Sequence, residues 1–134
     1  MGLVIQEDRG KYFYIKLVGD RNFFAELLKG LCRIGTLVKS NNSSRLLLDY
    51  SHVNINFAYS QSTIFRLLHA YVHHLDRSQR VCILLGERYM QEGKIFTELC
   101  RSRGYNKSEV FTCIQKAEEW LISDEPEINN SHEY

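Results

Sequence analysis

A chain of 134 residues is about one domain in length, and its 44% apolar and 25% charged residues are those of an ordinary globular protein. The net charge of +1 conceals an acidic end: Asp124, Glu125, Glu127 and Glu133 fall within 123–134 without a Lys or Arg, leaving 17 basic against 12 acidic residues before them. That mild, dispersed positive charge argues against nucleic acid as a partner, and no apolar stretch approaches the roughly 20 residues of a membrane-spanning helix.

The chain opens MGLVIQEDRG, which has no basic segment leading into an apolar one. It is read as carrying no secretory signal, with the cytoplasm as the expected compartment. LVIQ (3–6) and KYFYIKLV (11–18) are rich in β-branched and aromatic residues, and Asp8-Arg9-Gly10 offers turn chemistry between them, so they read as a β-hairpin. Gly19-Asp20 is expected to stop the second strand, with Asp20 or Asn22 capping a helix. FFAELLKGLCRIGTLV then sets Phe23, Leu27, Leu31 and Ile34 on one helical face, with Phe24 and Leu28 beside it and Gly35 as its expected end.

After the polar KSNNSS, RLLLDY (45–50) reads as a short strand. Its unbroken Leu run points to cover on both faces, the habit of parallel strands, and a polar loop is expected beyond it. A helix starting near Ser60 or Ser62 carries Ile64, Leu67, Leu68, Tyr71 and Leu75, and RVCILLG (80–86) is another buried strand. The next helix, Tyr89 to Arg103, is expected to bury Ile95, Phe96, Leu99 and Cys100, with Gly104 as its left-handed cap. Glu109–Thr112 reads as the last strand and IQKAEEWLI as the last helix, burying Ile114, Ala117, Trp120 and Leu121. The order ββαβαβαβα predicts a single α/β domain over 1–122: a mixed, mostly parallel five-stranded sheet with an antiparallel N-terminal edge hairpin. Residues 123–134, which hold the only proline, Pro126, have little to bury and are expected to be disordered.

No motif names a reaction. Gly86 and Gly93 in GERYMQEGK have six residues between them where a phosphate-binding loop has four, and Ile95 replaces the magnesium-binding Ser or Thr. His69 and His73 share a helical face, but two imidazoles without a third ligand do not make a zinc site, so no metal and no cofactor is expected. Cys32, Cys82, Cys100 and Cys113 form no C-x-x-C pair and lie in or beside apolar runs, as structural thiols do. Without a nucleophile elbow or an evident triad, no catalytic residue is assigned and the chain is read as not an enzyme. In parallel sheets, ligands gather beyond the carboxyl ends of the strands. That rule selects Asp49, Ser51 and Asn54, the helix-start serines Ser60 and Ser62, and Glu87, Arg88 and Tyr89 as candidate ligand- or partner-binding residues.

Taken together, RLLLDYSHVNI, RVCILLGERYMQEGKIFTELCRSRGYNKSEVFT and KAEEWL resemble the STAS superfamily, and more closely its SpoIIAA-like branch, which overlaps STAS/SEC14-like families. The resemblance runs from about residue 3 to 122 and implies a SpoIIAA-like fold. In STAS anti-sigma-factor antagonists, a D-x-S-x-V segment leads to an Asp-Ser-Ser-Gly turn whose serine is phosphorylated. With Asp49, Ser51 and Val53 matched, Phe57 takes the Asp position, Ala58 and Tyr59 the serines, and Ser60 the glycine. The usual acceptor is therefore missing, and Ser60 or Ser62 is left as a helix cap. The expected function is a regulatory domain that binds an unidentified protein partner or its own copy. The alternative is a small-ligand or lipid-binding module with its pocket at the strand ends.

Overall fold

The computed structural model describes residues 3–58 and 60–123, so the acidic segment expected to be disordered lies outside the described residues except for Ser123. β1 (Leu3–Asp8) pairs antiparallel with β2 (Phe13–Arg21), and β3 (Arg45–Ile55), β4 (Arg80–Leu84) and β5 (Ser108–Phe111) add in parallel, in the order β1-β2-β3-β4-β5. The helices are α1 (Phe24–Asn41), α2 (Gln61–His74), α3 (Met90–Ser102) and α4 (Ile114–Ile122), and a 3₁₀ turn, Glu87–Tyr89, precedes α3. The mixed sheet and order of elements are those expected.

Because the parallel strands follow one another across the sheet in one direction, crossovers of one hand place their helices on one face. Leu31 and Ile34 of α1, Leu68 and Tyr71 of α2, and Phe96 and Cys100 of α3 accordingly pack on Ile15, Leu17, Leu46, Leu48 and Ile83. α4 follows the last strand and takes the other face, where Ala117 and Leu121 meet Tyr12, Tyr14, Leu47, Cys82 and Leu84. Leu46, Leu47 and Leu48 are thus all buried, as the unbroken run implied. Each such side chain contributes about 1.5–3 kcal/mol by leaving water. Arg45 and Arg80 fasten α4 to the amino ends of β3 and β4 by donating to the carbonyls of Leu121 and Trp120, which are helix C-terminal groups without an intrahelical donor.

Three boundaries differ from expectation. β2 does not stop at Gly19-Asp20 but runs to Arg21, since Gly19 takes φ +101° within the strand and its neighbours keep pairing with Val53 to Ile55 of β3. β3 likewise continues past Tyr50 in place of the expected loop. Its pairing jumps from Lys16↔Asp49 to Val18↔His52, so β3 has one extra residue there, a bulge at Tyr50–Ser51. The bulge changes which residues face inward: Leu46, Leu48 and Tyr50 before it, Val53 and Ile55 after it. Finally, α1 passes through Gly35 to Asn41, where Asn42 (φ +51°) donates its N–H to Val38 O at 2.8 Å as a left-handed cap. Gly35 serves packing: a Cβ there would lie 2.9 Å from His74 Cβ, so glycine lets α1 and α2 approach. Gly104 takes φ +86° after α3, the expected cap.

Two apolar assignments also change. Phe23 is the N-cap of α1 and is 70% exposed, and Ile95 is 43% exposed while Gly93 and Thr97 take the inner face of α3. No helix of the described residues is long and apolar enough to cross a membrane.

Candidate functional site

The residues selected at the strand ends do not form one site, because the sheet separates them. Asp49 alternates with Leu48 and Tyr50 and therefore faces the α4 side. It is 3% exposed, its Oδ2 accepts from the Tyr14 hydroxyl at 2.5 Å, and its Oδ1 accepts from the Ser51 N–H at 2.9 Å and the Ser51 hydroxyl at 2.5 Å. Burial alone would raise the Asp49 pKa, but these hydrogen bonds outweigh it and hold the carboxyl below its ordinary value. Burial and the bond to Asp49 push the Tyr14 hydroxyl up, and the Arg9 guanidinium stacks 3.8 Å from the centre of its ring. Ser51 Oγ also lies 3.2 Å from His52 Nδ1. The network fastens the bulge to β2: Ser51 gives its proton to a carboxylate, which leaves its hydroxyl committed.

Asn54 is exposed and donates to Asp20 Oδ1 at 3.2 Å, bridging β3 to β2. Ser60 caps α2, its Oγ accepting from Thr63 N–H at 3.2 Å while Thr63 Oγ1 accepts from Ser60 N–H at 2.8 Å. Ser62 Oγ stands 3.1 Å from Ser60 Oγ, and both serines are exposed. Glu87 and Arg88 are exposed on the 3₁₀ turn, and the Arg88 guanidinium lies 5.0 Å from the Tyr89 ring centre.

Tyr89 alone of the selected residues turns inward, on the face opposite Asp49. Its hydroxyl accepts the Ile55 N–H at 2.8 Å, and its ring forms part of the wall of a cavity of about 110 Å³ between the sheet and α1, α2 and α3. Phe24, Leu27 and Leu31 of α1 contribute to that wall, as do Leu48, Tyr50 and Ile55 of β3 and Ile64, Leu67 and Tyr71 of α2. Thr63 of α2, Glu92, Gly93 and Phe96 of α3, and Ile83, Leu85 and Val110 from the strand ends complete it. The cavity lies at the carboxyl ends of the parallel strands, yet most of its residues read in the sequence as ordinary core.

Of the polar side chains among these residues, two lack a described hydrogen-bond partner. The Tyr50 hydroxyl, pushed up to about 12 by burial, takes no hydrogen bond from the described residues. Glu92 Oε1 is buried and no described group donates to it. Sequence reasoning missed both. Tyr50 ends the apolar run but stands at the bulge of a strand that continues, and Glu92 lies inside QEGK, whose glycine spacing fits no phosphate loop. An acid in the first turn of a helix that begins at a strand end was the available signal.

His69 and His73 are exposed on α2, and no group of three or more His, Cys, Asp or Glu able to hold a metal gathers among the described residues. Cys82 and Cys100 are buried, with burial pushing each thiol up to about 12. They behave as packing groups.

No protein-family model matches the chain, and no curated protein matches it. Among solved structures, the chain is similar to an uncharacterised protein of the DUF3478 family with a SpoIIAA-like fold from Shewanella loihica PV-4. The two share 17% sequence identity at a TM-score of 0.49, over 90% of this chain and 93% of that one.

Proposed function

We propose that this protein is a non-enzymatic cytoplasmic binding module that holds a small, mainly apolar ligand in the cavity between the sheet and α1–α3. The observation that carries this reading is an almost wholly apolar wall drawn from three helices and three strands around about 110 Å³. Apolar cavities of about 150 Å³ accept benzene, so the space suits one small ring or a short branched chain and is too small for a long acyl chain. The cavity lies at the carboxyl ends of the parallel strands, where ligands of such sheets collect. The test is a titration with toluene followed by amide chemical shifts and thermal stability. Saturable shifts centred on Tyr50, Leu67 and Phe96, lost in Leu67→Phe, are expected. Unchanged spectra at millimolar toluene would refute the reading.

A second reading, a STAS-like regulatory domain that docks a protein partner or its own copy, is favoured by Phe23 and Phe65, which are 70% and 48% exposed at the N-cap of α1 and on α2. In this reading Ser60 acts as the helix cap, Ser62 lies within the first turn of α2, and neither serves as a phosphate acceptor. Sedimentation of the chain and of a Phe23→Ser/Phe65→Ser variant tests self-association, and a monomer at all concentrations in both would remove the homodimer.

A further inference from the structure

We infer that the acidic segment 124–134 docks on the amino end of the sheet, its carboxylates seated at a polar cleft between the β1–β2 turn and the loop before β3. The positive charge that is dispersed along the sequence is gathered in space. Counted from the last residue of one element to the first of the next, the four connections at the amino ends of the parallel strands are 8–13, 41–45, 74–80 and 102–108. They hold seven bases against two acids, Asp8 and Asp76. The connections at the carboxyl ends, 21–24, 55–61, 84–90 and 111–114, hold two bases and one acid. The cleft, about 230 Å³, lies at the basic end, where Lys11 and Tyr12 of the turn line it together with Asn41, Asn42 and Arg45. Asp8 also borders it, but the Gly10 N–H engages its Oδ1 at 2.9 Å. Lys11, Arg103 and Lys107 make no ion pair among the described residues.

α4 brings the chain back to this end. Arg45 Nη1 donates to Leu121 O at 3.2 Å and Arg80 Nη2 to Ser123 Oγ at 3.3 Å, so the acidic segment starts beside two of the bases, one of which lines the cleft. Asp124, Glu125, Glu127 and Glu133 follow within eleven residues that include no Lys or Arg. Eleven residues reach up to about 36 Å, and the end of a five-stranded sheet is about 20 Å wide, so the length suffices. An exposed ion pair is weak by itself, but several act together here, and joining them to one chain sets their effective concentration on the order of millimolar. Docking held this way weakens as salt screens the charges. The cleft and the apolar cavity lie at opposite ends of the sheet, so each reading stands or falls without the other.

Zero-length carbodiimide coupling of the full chain at micromolar concentration, mapped by peptide mass, tests the docking. At about 20 mM salt, carboxylates of 124–134 should couple within one chain to Lys11 about fivefold or more above Lys29 and Lys94, which are exposed elsewhere on α1 and α3. Salt at about 0.5 M should remove most of that preference. The variant Asp124→Asn/Glu125→Gln/Glu127→Gln/Glu133→Gln alters none of the described residues. At low salt it should move the amide shifts of Lys11, Asn42 and Arg45 to the positions they take in the parent at high salt. Coupling to Lys11 that is absent, no greater than to Lys29 and Lys94, or found only between chains would overturn the inference. So would amide shifts that the four substitutions leave unchanged.

Discussion

The tightest internal test of this packing is the pair Tyr71–Ser108. Tyr71 Oη and Ser108 Oγ lie 2.8 Å apart, and both residues are 2% exposed. Neither hydroxyl has another described partner, so each satisfies the other out of reach of water. Tyr71→Phe removes one hydroxyl and strands the second, at a cost of about 1–3 kcal/mol for an unsatisfied buried group. Ser108→Ala does the same in reverse, with a similar cost and little lost volume. Removing both leaves apolar surfaces facing each other, and the double variant should fall only about 0–1 kcal/mol below the parent. If the single effects simply added, the double variant would instead lose about 2–6 kcal/mol, so a coupling of about 1 kcal/mol or more is expected where independent sites add to within about 0.5. Urea unfolding of the four proteins, with the slope compared to confirm two-state behaviour, reads the cycle directly. A double variant as unstable as the sum of the singles would refute the account, because it would mean that the hydroxyls contribute by something other than satisfying one another.

Gly35→Ala should destabilise by about 1–3 kcal/mol as the new Cβ meets His74 and pushes α2 away from α1, and a variant with His74→Ala beside it should recover part of the loss in thermal melts. Asp49 has its carboxyl lowered in the folded state, so the unfolded chain binds its proton more readily. Its stabilising contribution is therefore full above the unfolded value near ~3.9 and disappears as pH falls through the lower folded value. Asp49→Asn should flatten that acid limb in melts from pH 6 down to about 2, and an unchanged slope would sink the assignment. With Cys82 and Cys100 held as thiols by burial and Cys32 exposed, a thiol reagent should label Cys32 in the native protein and reach the two buried cysteines only on unfolding, as peptide mass mapping would show.

The order of strands and helices, the antiparallel edge, the two-faced burial of Leu46 to Leu48 and the Gly104 cap are legible along the chain because each depends on local periodicity or a local turn. The same local logic misplaced Gly19, Gly35 and the end of β3. A glycine that ends an element and one that admits a neighbour look alike until the neighbour, here His74, is in place. The bulge at Tyr50–Ser51 has a further effect, since one extra residue exchanges the faces of all that follow it in the strand.

The sequence by itself therefore determined the α/β architecture. Only the tertiary structure decided that Asp49 and Tyr89 stand on opposite faces, and that Tyr50, Leu67 and Glu92 meet around one cavity. The reason is physical: periodicity states which residues turn inward on each element, whereas a cavity exists where inward-facing residues of separate elements fail to fill the space between them.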